Sequence, residues 1–249
     1  MYTKQDLLSH LTALGVDPTG TLKVHLSYKA IGEVDGRGDT VLDALMEYMA
    51  DGLLVLPSHT WSSVGTENPV MDVIYTPSCV GALTEMFRKR EGVHRSLHPT
   101  HSVAAYGKDA AAFVAGEEKI HTPCGLGGTY YKLWERDAQI LLIGVNFSRN
   151  TFIHGIEEWD HAEGTINAEA EDFHVIPEAG GQRLYTPQRR HCAPIGSETF
   201  PKLEPYAFQE GILTFGNFGD ATTRLMRAKP LRTMTARFLK ENPRYLLSY

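Results

Sequence analysis

The chain has 249 residues, 42% of them hydrophobic, and no shift of composition along its length, so it is read as a single domain over 1–249 with one substantial core. Its 24 Lys and Arg against 30 Asp and Glu give a net charge of −6, which removes any chain-wide reason to expect nucleic acid or an anionic membrane as partner. No apolar run of about 18 residues occurs, the first residues lack an apolar signal core, and the three cysteines Cys79, Cys124 and Cys192 form no Cys-x-x-Cys pair; a soluble, cytoplasmic protein without a disulfide framework or thiolate zinc site is expected.

Leu7, Leu8, Leu11 and Leu14 recur at helical spacing and Gly15 stands at the stop, so an amphipathic helix opens the chain. Residues 21–25 read as a strand, 39–49 as a helix capped by Asp39, and 52–57 as a second strand, together a βαβ unit. The irregular stretch 58–77 is long for a connection inside a domain, and such loops are often functional. Helices are expected near 80–90 and 109–117, followed by a Gly-rich turn, a strand over 139–145 and a helix that carries His154. Residues 173–186 read as a β-hairpin turning on Gly180 and Gly181, and helices near 199–209, 221–228 and 231–241 complete the pattern. The expected architecture is α/β, a central mixed sheet flanked by helices with a small hairpin and helical C-terminal part.

Three stretches carry chemistry-bearing residues at close spacing. The turn His25-Leu-Ser-Tyr-Lys-Ala-Ile-Gly32 follows the first strand, where α/β proteins hold ligands, and its backbone amides suit a phosphate. No Gly-x-Gly-x-x-Gly or Walker sequence accompanies it, so no dinucleotide or nucleoside-triphosphate site is indicated, and an ordinary glycine-containing loop explains the spacing equally well. The segment His94-Arg-Ser-Leu-His-Pro-Thr-His-Ser102 is dense in imidazoles and hydroxyls. His98 and His101 make a weak metal pattern; an anion site on Arg95 is the stronger reading, beside a rigid loop whose imidazoles bond to backbone. His154, Glu157, Glu158 and His161 share one helix face. That face reads as a catalytic His oriented by a carboxylate, as a zinc face of His154, Glu158 and His161, or as a solvated polar stripe, the commonest occupant of such spacing.

The segments 25–32, Leu54-Val-Leu-Pro57, Arg95-Ser-Leu-His-Pro-Thr-His-Ser-Val-Ala-Ala-Tyr-Gly107, Pro123-Cys-Gly-Leu-Gly-Gly-Thr129, Leu141-Leu-Ile-Gly-Val145 and Asn150-Thr-Phe-Ile-His-Gly-Ile-Glu157 follow one another in a recognisable order. Together they resemble the aminoglycoside 3-N-acetyltransferase family over nearly the whole chain, through its His-Ser-Ser loop, its Arg-Ser-x-His-Pro segment and its Asn-Thr-x-x-His-x-x-Glu helix. The resemblance implies a CoA-dependent acyltransferase with acetyl-CoA as cosubstrate and no metal. Its acceptor would be an amine, such as the 3-amino group of an aminoglycoside. His154 falls on the family's catalytic His, acting as general base with Glu157 orienting it. CoA would lie along His25, Ser27, Tyr28, Lys29, Ala30, Ile31 and Gly32 and along Arg95, Ser96, His98 and Ser102. Two departures stand out: Leu26 replaces a serine, and Arg189 and Arg190 stand just before His191 where family members acting on polycations tend to carry carboxylates. Glu67, Glu157, Glu158, Asp160, Glu163, Glu169, Glu171 and Asp172 are the acids left to line an anionic pocket. The competing functions are a zinc hydrolase on the His154, Glu158, His161 face and a non-catalytic CoA or amine binder.

Overall fold

Strands buried on both faces read as unbroken apolar runs, and Leu-Leu-Val-Leu-Pro of β2 (Leu53–Pro57) and Gln-Ile-Leu-Leu-Ile of β6 (Gln139–Ile143) are of that kind. Both run parallel to β1 (Thr21–Leu26), which lies between them with Lys23 opposite Val55 and Leu26 opposite Ile143. The computed structural model describes residues 1–192 and 196–247. Its main sheet has the order β4-β5-β2-β1-β6-β10-β9. The antiparallel members are β4 (His94–Arg95) and β5 (Val103–Gly107) on one side, and β9 (Leu213–Phe218) and β10 (Ala221–Arg227) on the other. A second sheet, β3-β7-β8, joins β3 (Val70–Asp72) in parallel to β7 (His174–Ile176), which pairs with β8 (Leu184–Tyr185) as the expected hairpin.

Side-chain alternation sends neighbouring residues of each strand into opposite layers. Leu22 and Val24 of β1 pack with Leu7 and Leu11 of α1 (Lys4–Leu14), Val41 and Leu45 of α2 (Arg37–Tyr48) and Leu83 of α3 (Ala82–Phe87). Ile140 and Leu142 of β6 face the other layer. There they meet Phe113 of α4 (Ala110–Val114), Leu133 of α5 (Thr129–Glu135), Ile156 of α6 (Phe152–Trp159) and Leu231 of α8 (Ala228–Glu241). Lys23 and His25 take the inward positions of β1 on this second side, both buried.

The sequence expectations need three corrections. Asp39 lies in the first turn of α2, whose cap is Gly36 in a left-handed conformation at φ 71°. Where a helix over 221–228 was expected, Ala221–Arg227 form β10 and Ala228 opens α8: Gly219, at φ 60°, and Asp220 make a two-residue hairpin turn that pairs Phe218 with Ala221. α7 (Glu204–Gln209) follows a 3-10 segment at Ser197–Leu203 where one continuous helix was expected. Among the described residues no helix is long and apolar enough to cross a membrane.

The topology makes a crevice. From β1 the chain turns to α2 on one face, and from the adjacent β6 it turns to α6 on the other, so loops 27–32 and 144–151 part at the strands' carboxyl ends. At its root the walls touch: Ser27 N–H donates to Ile143 O at 2.9 Å, and a Cβ at Gly144, where φ is 64°, would stand 2.3 Å from Ala30 Cβ.

Candidate active site

α6 begins after Thr151 and places His154 in its first turn, three residues from Glu157. His154 Nδ1 and Glu157 Oε2 are 2.8 Å apart, with side chains 14% and 2% exposed. A carboxylate only accepts, so Nδ1 carries the hydrogen and Nε2 keeps a free lone pair. Glu158, one residue on, faces elsewhere: its Oε1 accepts from Cys124 N–H at 2.9 Å and lies 3.0 Å from His191 Nε2. Of the two carboxylates within helical reach, the partner of His154 is therefore Glu157. His161 lies beyond the helix end at φ 53°, exposed to solvent. Because Glu158 is engaged with His191 and Cys124, the zinc face of His154, Glu158 and His161 is not assembled, and no such group of three ligands occurs among the described residues.

Rings wall the site. His191 lies 4.3 Å from His154 between centroids, tilted by 32°, and Phe200 meets the imidazole edge-on at 4.7 Å. Behind His191 stand His101 at 5.3 Å and then His59 at 4.8 Å, whose Nε2 is 2.8 Å from Tyr130 OH. His98 Nδ1 accepts from His101 N–H and Thr100 N–H, so its Nε2–H donates to Thr122 O at 3.1 Å. Lys23 Nζ lies 5.3 Å over the Tyr130 ring, and neither it nor His25 Nε2 has a hydrogen-bond partner among the described residues.

Burial governs the charge of this cluster. It lowers His25, His59, His101 and His191 well below the usual imidazole value and His98 to about 4, and it drives Lys23 well down as well. It pushes the carboxyls of Glu117 and Glu158 up to about 7. Burial thus opposes charge on both Glu158 and His191, the pair beside His154.

These shifts set a pH dependence of stability. The five imidazoles stay neutral in the fold while the unfolded chain takes up protons below 6.5, so their contribution is lost as pH falls through 6.5. Glu117 and Glu158, raised from 4.5 to about 7, act oppositely and lose theirs as pH rises through that window. Five imidazoles, joined in the same sense by the buried Lys23, outnumber two carboxyls, so stability is expected to fall between pH 6.5 and 5. Thermal unfolding midpoints across that range check it; a midpoint that stays level or rises on acidification would mean that the imidazoles are charged in the folded protein.

The 94–102 segment serves the fold. Arg95 donates from Nε to Ser58 Oγ and Ser102 Oγ (3.2 and 3.3 Å), from Nη1 to Val73 O and Thr76 O (3.0 and 2.7 Å), and from Nη2 to Ser58 O (2.8 Å). Burial lowers its guanidinium to about 9. Ser96 Oγ accepts from Val103 N–H, and the Ser102 hydroxyl donates to Ser58 O at 2.7 Å. Arg95, Ser96, His98 and Ser102 are thus all bonded to protein partners, the arrangement of the rigid loop. Of the first segment, His25 is buried, Ser27, Tyr28 and Ala30 are half-buried and Lys29 is exposed at the crevice rim, with a 3-10 turn over Tyr28–Ile31 leading into Gly32.

A cleft of about 360 Å3 opens beside α6, lined by Leu126, Glu157, Glu158, His161, Ile166 and Arg189 among others. Of the eight acids that the sequence offers, only Glu157 and Glu158 line it; Asp160 pairs with Arg232, Glu171 with Arg190, and Asp172 accepts from Tyr185 OH. Sequence reasoning missed the wall of His59, His101 and His191. Its trace was Lys23 and His25, two polar residues at inward positions of a strand otherwise buried in Leu and Val.

Residues 24–240 match the family model for aminoglycoside 3-N-acetyltransferase. The chain is 29% identical over 244 residues to the SPbeta prophage-derived aminoglycoside N(3')-acetyltransferase-like protein YokD of Bacillus subtilis, covering 90% of this chain and 87% of that protein. It is 26% identical to aminoglycoside N(3)-acetyltransferase IV of Salmonella sp, over 92% and 84% of the two chains. The crystal structure of aminoglycoside acetyltransferase AAC(3)-Xa superimposes with a TM-score of 0.86 at 25% identity, covering 96% of this chain and 93% of that one. A match that begins inside β1 and runs into α8 takes in the sheet, both crevice loops and the His154–Glu157 helix, and the chain belongs to the aminoglycoside 3-N-acetyltransferase family of acyltransferases.

Proposed function

We propose that the protein transfers an acetyl group from acetyl-CoA directly to an amine of an aminoglycoside or a related amino compound, with His154 as general base. The observation that carries this reading is the 2.8 Å bond from His154 Nδ1 to the buried Glu157, which leaves Nε2 free to take a proton. As the amine nitrogen bonds to the thioester carbonyl carbon, its proton passes to His154 Nε2, and the Glu157 carboxylate steadies the imidazolium. The carbon–sulfur bond then breaks and the departing thiolate takes the proton from His154, so one amide forms, one thioester is lost and the base is restored. A neutral His191 at 4.3 Å adds no repulsion to that transient charge.

For CoA we propose the crevice between loops 27–32 and 144–151. The Ser27 hydroxyl, the amides around the Tyr28–Ile31 turn and the exposed Lys29 suit phosphate and pantetheine groups there. The purified protein, given acetyl-CoA and a panel of aminoglycosides and simple amines, is expected to release free thiol only when both substrates are present. Binding of acetyl-CoA without thiol release for any amine would make the protein a binder and end this reading.

A further inference from the structure

Charge in the cleft beside α6, which Glu157, the partner of His154, helps to line, is unevenly spent. Its two carboxylates are tied down, Glu157 by His154 and Glu158 by His191 and the Cys124 amide, with side chains only 2% and 5% exposed. Arg190 is spent as well: it donates to both oxygens of Glu171 at 2.9 and 2.8 Å and to Thr66 Oγ1, away from the cleft lining. Arg189 is different. It lines the cleft, is exposed, and its guanidinium makes no hydrogen bond or ion pair among the described residues.

Its backbone is nonetheless fixed. Arg189 N–H donates to His121 O at 2.8 Å, and on one side Gln188 exchanges backbone hydrogen bonds with Glu171 and sends its side-chain amide to Ile120 O. On the other side His191 bridges to Ile166. A cation on so anchored a segment is a positioned donor rather than a loose surface arginine. Its field reaches the cleft floor, where it helps to hold down the Glu158 carboxyl.

We propose that the acceptor is an amine that also carries an anionic oxygen group, a carboxylate or a phosphate, which pairs with Arg189 while the amine faces His154 Nε2. This rests on the acetyl transfer proposed above and names its substrate class. A planar guanidinium meets either anion with two parallel hydrogen bonds, whereas a polycation entering the same cleft meets a like charge and finds no free carboxylate. Leu126 and Ile166 supply an apolar flank for the carbon chain between the two charges.

The test compares propylamine, β-alanine, O-phosphoethanolamine and an aminoglycoside as acceptors for wild type, Arg189→Ala, Arg189→Lys and Arg189→Glu. The readout is the ratio of kcat/KM for each anionic amine to that for propylamine. Wild type is expected to favour at least one anionic amine by about tenfold or more, Arg189→Lys to keep part of that preference, Arg189→Ala to level it and Arg189→Glu to invert it toward the aminoglycoside. The better of β-alanine and O-phosphoethanolamine identifies the anion. An unchanged ratio in Arg189→Ala, or a wild type that prefers the polycation, overturns the proposal. Calorimetric titration of the two anionic amines into the CoA-bound protein separates this proposal from the transfer reading. Arg189-dependent binding without turnover would retire the transfer reading and keep the anion site, and binding that ignores Arg189, or none, would remove the site.

Discussion

His154→Ala is expected to lower turnover by about 10²–10⁴-fold while CoA affinity stays within about twofold. The size follows from what is removed: the lone pair at Nε2 that accepts the amine proton, and the Nδ1–H to Glu157 that stabilises the charged ring. Positioning of the two substrates is left in place, which is why activity should not vanish altogether. CoA affinity is spared because the crevice walls, residues 27–32 and 144–151, are set by β1, β6 and their loop contacts and not by the imidazole. Glu157→Gln keeps an acceptor for Nδ1–H but loses the charge, so its loss should be smaller. Stopped-flow turnover and equilibrium CoA binding on folded variants check both, and wild-type turnover in a folded His154→Ala would remove this residue from the mechanism.

Arg95→Ala is expected to cost about 3 kcal/mol or more of stability, with CoA affinity of the folded protein little changed. The guanidinium serves three carbonyls and two hydroxyls from three separate stretches, around Ser58, Val73 to Thr76 and Ser102. Truncation leaves those acceptors in a half-buried site without donors, where each orphan carries a desolvation cost. Arg95→Lys should recover only part of the loss, since one ammonium cannot span a fork that reaches Val73 O, Thr76 O and Ser58 O together. Urea unfolding decides the matter. A variant that loses under about 1 kcal/mol but binds CoA poorly would return Arg95 to the phosphate site that the sequence suggested.

Much of the frame was legible in the residues. β2 and β6 announced themselves as apolar runs bounded by turns and β1 as an alternating strand, and the helix bearing His154 followed from its position after a strand and from the spacing of its polar face. β10 was not, because Leu225, Met226 and Ala228 leave a short apolar cluster that suits either period, and the deciding feature was the Gly219–Asp220 turn just before it. At the site, the sequence put Glu157 and Glu158 equally within reach of His154. What separates them is a tertiary neighbour, since Glu158 is claimed by His191 and by the amide of Cys124, residues distant along the chain. The protein partners of Arg95 were hidden for a related reason: most of its acceptors are main-chain carbonyls, which every residue possesses and no motif records. Lys23 was passed over because a single lysine in a strand is unremarkable until its alternation places it under the sheet, over Tyr130.

The order of synthesis gives the switch-point crevice one more property. On the ribosome β1 emerges with β2 soon after it, yet its other neighbour, β6, appears more than a hundred residues later, and β10, whose Thr222 carbonyl accepts from the Gly144 amide, later still. Until α5 and α6 arrive to cover them, Lys23 and His25 face water, where a lysine is charged and content. Docking of the late strands and helices therefore strips the hydration shell from Lys23, and that burial pulls its ammonium well below its ordinary pKa, so the desolvation of this side chain falls on elements that are synthesised last.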